Sequence, residues 1–98
     1  MEKIRLGIIG IGNMGSEHCR LILSGQTPEI ALTCVADPRQ DRRDWAQQTH
    51  PAGTGIYADG MSLIRAHACD AVLIATPHEL HPPLAEAALR AGLHVLSE

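Results

Sequence analysis

Ninety-eight residues, 45% hydrophobic and 19% charged, describe one globular domain: too short for a two-domain enzyme of ordinary size and too apolar for a disordered chain. Eight basic against eleven acidic side chains leave a formal charge of −3, which excludes a strongly basic nucleic-acid surface. Trp45 and Tyr57 are the only aromatics, so any core must be built from Leu, Ile, Val and Ala.

In chain order, Ile4 to Gly10 reads as a buried strand ending in glycine. Met14 to Ser24 follows as a helix of about eleven residues, stopped by Gly25. Thr27-Pro28 breaks the chain before a second strand, Ala31 to Ala36, which Asp37-Pro38 ends. Asp41 to Gln48 is a polar helix with Trp45 as its expected anchor, closed by Pro51 and Gly53. Ile56-Tyr57 is a third, short strand, and Asp59 or Ser62 caps a helix over Leu63 to His67. Ala71 to Ala75 is continuously apolar, as a strand covered on both faces requires. Pro82 and Pro83 start the next helix, which runs to Gly92, and His94-Val95-Leu96 begins a fifth strand. Strands alternating with helices predict parallel pairing through right-handed crossovers: an α/β, doubly wound sheet of form βαβαβαβαβ, one domain over residues 1–98.

Cys19, Cys34 and Cys69 are odd in number and lack C-x-x-C spacing. They read as small buried side chains of a protein in a reducing cytoplasm rather than a disulfide framework. The apolar stretch Ile4 to Ile11 is too short to span a bilayer and has no cleavage site, so no membrane role is expected.

Gly10-Ile11-Gly12-Asn13-Met14-Gly15 matches G-x-G-x-x-G and stands between a strand and a helix, where that pattern has a mechanism. Gly10 turns the chain, Gly12 lets backbone approach a pyrophosphate, and Gly15 lets helix and strand pack closely, with the helix N-terminus facing the anion. A glycine turn without a ligand is the plain alternative. Asp37, 22 residues after Gly15, stands where a carboxylate accepts hydrogen bonds from the adenosine ribose, although a turn carboxylate before Pro38 would explain it unaided. A carboxylate there favours NAD over NADP; Arg39, Arg42 and Arg43 follow closely, so one of them pairing with a 2′-phosphate, or all three forming a solvated helix face, stays open. With the first strand central, the fourth should lie beside it and bring Thr76-Pro77-His78-Glu79-Leu80-His81 to face the dinucleotide.

With these features the sequence resembles the N-terminal Rossmann domain of the Gfo/Idh/MocA family of NAD(P)-dependent oxidoreductases. The resemblance is carried by Ile8 to Gly15 with His18, Val35-Ala36-Asp37, Val72 to Pro77, His81, Ala85, Ala88-Leu89 and Ala91 to Glu98. It implies that Gly10, Ile11, Gly12, Asn13, Met14 and Gly15 form the pyrophosphate turn, and that Asp37 with Arg39 meets the adenosine ribose. Ala75, Thr76, Pro77 and His81 then stand toward the nicotinamide side, and Glu98 matches the glutamate of the family's Glu-Lys-Pro motif. It further implies hydride transfer between NAD(P) and a sugar, cyclitol or related small molecule, a homo-oligomer, and a second α+β domain beyond this chain that carries most of the substrate pocket. No catalytic acid or base is therefore expected within these residues, and the chain alone is expected to be inactive. His78 stands where the family commonly has Asn. A non-catalytic dinucleotide-sensing module is the competing reading; a methyltransferase fits the Thr76-Pro77 loop and Gly92-Leu93-His94-Val95 poorly. His78-Glu79-Leu80-His81 looks like a metal motif, but its histidines are three apart, so a polar loop with a helix-capping histidine is expected and no metal.

Overall fold

The strands form because their residues can serve two cores at once. In the computed structural model, which describes residues 3–77 and 80–97 with only the backbone of Ser97, nine elements follow one another. They are β1 (Ile4–Ile9), α1 (Asn13–Leu23), β2 (Ile30–Ala36), α2 (Gln40–Thr49), β3 (Gly55–Tyr57), α3 (Gly60–Arg65), β4 (Ala71–Ile74), α4 (His81–Arg90) and β5 (His94–Ser97). The five strands pair in parallel in the order β3-β2-β1-β4-β5. Ile8, Val35, Ala71 and Leu73 join the core under α1 and α2, with Cys19 and Ala46 from those helices. Their sequence neighbours Ile9, Ala36, Val72 and Ile74 join the opposite core, with Leu63 from α3 and Leu84 and Ala88 from α4. A strand whose alternate residues both meet apolar neighbours must be apolar throughout, and each such Val, Leu or Ile contributes about 1.5–3 kcal/mol on burial.

The register sets the functional rim. Ile9 pairs with Ala36 and with Ile74, Ala36 with Tyr57, and Ile74 with Ser97, so all five strands end in one row. The residue after each strand is held by one more ladder bond: Gly10 N–H donates to the Ala36 carbonyl (2.7 Å), Asp37 N–H to Tyr57 (3.1 Å) and Ala75 N–H to Ile9 (2.8 Å). Strand order reverses between β1 and β4, and the crevice of a doubly wound sheet opens at such a point.

Several expectations are corrected in detail. β1 stops at Ile9 because Gly10 takes φ +92°, and β4 stops at Ile74, leaving Ala75 on the rim. α3 begins at Gly60, where the Asp59 carboxylate accepts the Ser62 N–H (2.8 Å), and ends before His67, which takes φ +52°. Ala46, fully buried, anchors α2, whereas Trp45 is half-buried, with the Arg20 guanidinium 5.5 Å from its ring. His78, Glu79 and Glu98, and the readings placed on them, lie outside the described residues.

Candidate functional site

The tip of α1 has no capping side chain. Its N-cap is Gly12 and its first turn carries no acidic residue, so nothing local competes with an incoming anion for its N–H groups. Two glycines are sterically obligatory. A Cβ at Gly15 would run into the Gly10 carbonyl oxygen and lie 2.8 Å from its carbon. One at Gly10 would come within 2.9 Å of Thr76 Cγ2 and 3.0 Å of the Ala75 carbonyl carbon. The glycine turn and the Ala75-Thr76 segment are thus packed against each other, as the predicted strand order requires. Ile11 is buried beneath the turn, while Asn13 and Met14 are exposed on it.

Asp37 fastens this turn to the next element. Its carboxylate is 2% exposed; Ile11 N–H donates to Oδ2 (2.9 Å), Arg39 N–H to Oδ1 (2.9 Å) and Arg42 Nη1 to Oδ2 (3.3 Å). Arg43 Nη1 donates to the Asp37 carbonyl (2.8 Å). The Arg39 side chain turns away to Asp41 (2.8 Å), and holds that carboxyl below its usual range. The three arginines are therefore not a solvated face: two grip Asp37. The Arg42 guanidinium also lies over Gly12, with its Cζ 3.2 Å from where a Cβ would sit.

On the other side of Gly10 a cavity of about 270 Å3 opens between Ala36, Asp37, Gly60, Met61, Thr76 and Leu84. Thr76 Oγ1 is buried without a hydrogen-bond partner among the described residues, and the Thr76 carbonyl is bonded to His81 Nε2 (2.7 Å). His81 therefore meets the site through Thr76, from the first turn of α4. Pro77 is exposed at the rim. The Ser62 N–H holds the Asp59 carboxyl, at the cavity's edge, below its usual range. Among the described residues no group of three or more His, Cys, Asp or Glu side chains could hold a metal ion.

Two parts of this site are not singled out by the sequence pattern. Arg42 was one of three arginines with nothing to rank them; the signal was its place on the first turn of α2, which faces the glycine turn. Gly60 and Met61 lie at the β3–α3 junction, and the row of strand ends makes that junction part of the rim once β3 is placed beside β2.

The model of the Gfo/Idh/MocA family, an oxidoreductase family with an NAD-binding Rossmann fold, matches residues 4–98. The chain belongs to the Gfo/Idh/MocA family. Inositol 2-dehydrogenase 4 of Saccharopolyspora erythraea is 36% identical over 99% of this chain, and the rhizopine catabolism protein MocA of Rhizobium meliloti is 40% identical over all of it. A structure of scyllo-inositol dehydrogenase from Lactobacillus casei, with bound NAD(H) and scyllo-inositol, superposes with a TM-score of 0.88 at 29% identity over 98% of the chain. This Gfo/Idh/MocA chain spans 28%, 29% and 28% of those three proteins, and it corresponds to their NAD-binding domain.

Proposed function

We propose that this chain binds the dinucleotide for a dehydrogenase that moves hydride between NAD and a hydroxyl or carbonyl carbon of a cyclitol or sugar. The observation that carries the reading is the uncapped tip of α1, with Asp37 beneath it and Ala75-Thr76 against it. The uncapped N–H groups at the start of α1 suit a diphosphate, with the side-chain-free Gly12, and Ile11, Asn13 and Met14, supplying the rest of the turn. The apolar cavity beside Asp37 suits the adenine base and its ribose. Asp37, whose carboxylate accepts from Ile11, Arg39 and Arg42, lines that cavity and is assigned to the ribose hydroxyls.

When bound, NAD supplies the hydride chemistry, and the residues of this chain bind and orient it. Ala75, Thr76 and Pro77 are assigned to the nicotinamide end, with the Thr76 hydroxyl, which has no partner among the described residues, as a polar contact and His81 fixing the Thr76 carbonyl. Substrate binding and proton transfer are assigned to the part of the relatives' length that this chain does not span, and the chain alone is expected not to turn over substrate. The substrate class is supported by the inositol dehydrogenases among the relatives. Three free thiols suit a reducing compartment such as the cytoplasm.

NAD is the preferred cofactor on this reading. The Asp37 charge opposes a 2′-phosphate, and Arg39, Arg42 and Arg43 already have partners in Asp41 and Asp37. Titration of the chain with NADH and NADPH, read by nicotinamide fluorescence, should show tighter binding of NADH. Equal affinities would overturn the preference, and no response to either at millimolar concentration would overturn the binding itself.

A further inference from the structure

Cys34 and Cys69 have no part in dinucleotide binding, yet the fold brings their sulfurs together. Between them lies Gly7 of β1: a Cβ there would come within 2.8 Å of Cys34 Sγ and 3.2 Å of Cys69 Sγ, so the two thiols share the space that a side chain would need. Three local features create the meeting. The pairing of β1 with β2 shifts between Leu6–Leu32 and Gly7–Cys34, which leaves Thr33 as an extra residue and re-aims the strand. Thr33 Oγ1 donates to the Ala68 carbonyl (2.7 Å), drawing the α3–β4 connection onto β2. Asp70 N–H donates to the Arg5 carbonyl (2.7 Å), holding the far side of Cys69 against β1. Cys34 is 0% and Cys69 3% exposed. Cys19 lies in the opposite core, away from both.

We propose that Cys34 and Cys69 are a reversible oxidation site, closing to an intramolecular disulfide when the protein meets a peroxide. The disulfide would join β2, which leads into Asp37, to the segment entering β4, which leads toward Thr76, across the gap at Gly7. Cys69, the less buried of the two, is the attacking sulfur; the Cys34 thiol beside it holds its pKa below that of a free thiol. The Cys69 thiolate takes one oxygen from hydrogen peroxide, giving the sulfenic acid and releasing hydroxide. The Cys34 sulfur then attacks that sulfur, the S–O bond breaks, and water leaves with the Cys34 proton. In sum, two thiols lose two hydrogens and one peroxide becomes two waters, the released hydroxide taking up the proton that Cys69 gave up on ionising.

The test treats the native chain with hydrogen peroxide, alkylates remaining thiols in denaturant, and maps the products by mass spectrometry. The expected result is an intact mass lower by two hydrogens before alkylation, a linked Cys34–Cys69 peptide pair, Cys19 alkylated, reversal by dithiothreitol and a higher melting temperature for the oxidised form. Cys19→Ala should keep the linkage, and Cys34→Ala and Cys69→Ala should each abolish it. Three alkylatable thiols after treatment, oxygen added to single cysteines without the mass loss, or a linkage through Cys19 would each overturn the proposal; the mapping on the unmodified sequence decides this even if a variant fails to fold.

Discussion

Asp37, proposed to meet the ribose, has a structural role of its own. Its carboxylate satisfies the N–H groups of Ile11 and Arg39 and meets Arg42 while almost fully buried. Removing it leaves two amides and a guanidinium without their acceptor, so Asp37→Ala should lower stability by about 2–4 kcal/mol in thermal or urea unfolding. Asp37→Asn retains one acceptor oxygen; it should unfold closer to the parent yet bind NADH at least tenfold more weakly by fluorescence titration. Undiminished NADH binding by Asp37→Asn would remove the carboxylate from the ribose site. The glycines and Asp37 were legible in the sequence because each has a backbone or charge requirement tied to a fixed spacing. Arg42 was not, since its position over Gly12 depends on the angle at which α2 leaves β2, and no residue spacing encodes that angle.

At the scale of single elements, α2 is the informative case. It is polar almost throughout and held by buried Ala46, with His50 closing its C-terminal end at 8% exposure. The Thr49 hydroxyl donates to the Trp45 carbonyl (2.8 Å), so its lone pair accepts from His50 Nδ1 (2.9 Å), and the unprotonated Nε2 is buried without a partner among the described residues. Burial holds the imidazole pKa below its ordinary value. The unfolded chain therefore takes up the proton more readily than the folded one: the stabilising contribution is complete above about pH 6.5 and is lost as pH falls below it. Melting between pH 7.5 and 5.5, followed by Trp45 fluorescence, should show a fall of a few degrees that His50→Gln reduces; an identical slope in both proteins would contradict this. Sequence pattern located α2 but named Trp45 as its anchor, because size suggested burial. The structure uses the small Ala46 to bring the helix close, and leaves Trp45 half-exposed between Arg20 and His50.

For the molecule as a whole, the strand order β3-β2-β1-β4-β5 follows from the alternation of strands and helices, and from a glycine turn that marks β1 as the central strand. What could not be read was the common row in which the strands end, since register is set by packing against both helical layers. That row puts Gly10, Asp37 and Ala75 on one rim and makes a site of residues that are distant in sequence. β5 is an edge strand, and Ile4 and Leu96, 53% and 54% exposed, leave apolar surface beside it. The isolated chain should therefore self-associate at high concentration, and a clean monomer by light scattering would contradict that. Amide NMR of the chain during titration with NAD locates the dinucleotide on this rim or away from it. Shifts should concentrate at Gly10 to Gly15, Asp37, Met61 and Ala75-Thr76; no shifts at millimolar NAD, or shifts confined to the opposite end of the sheet, would contradict binding at this rim.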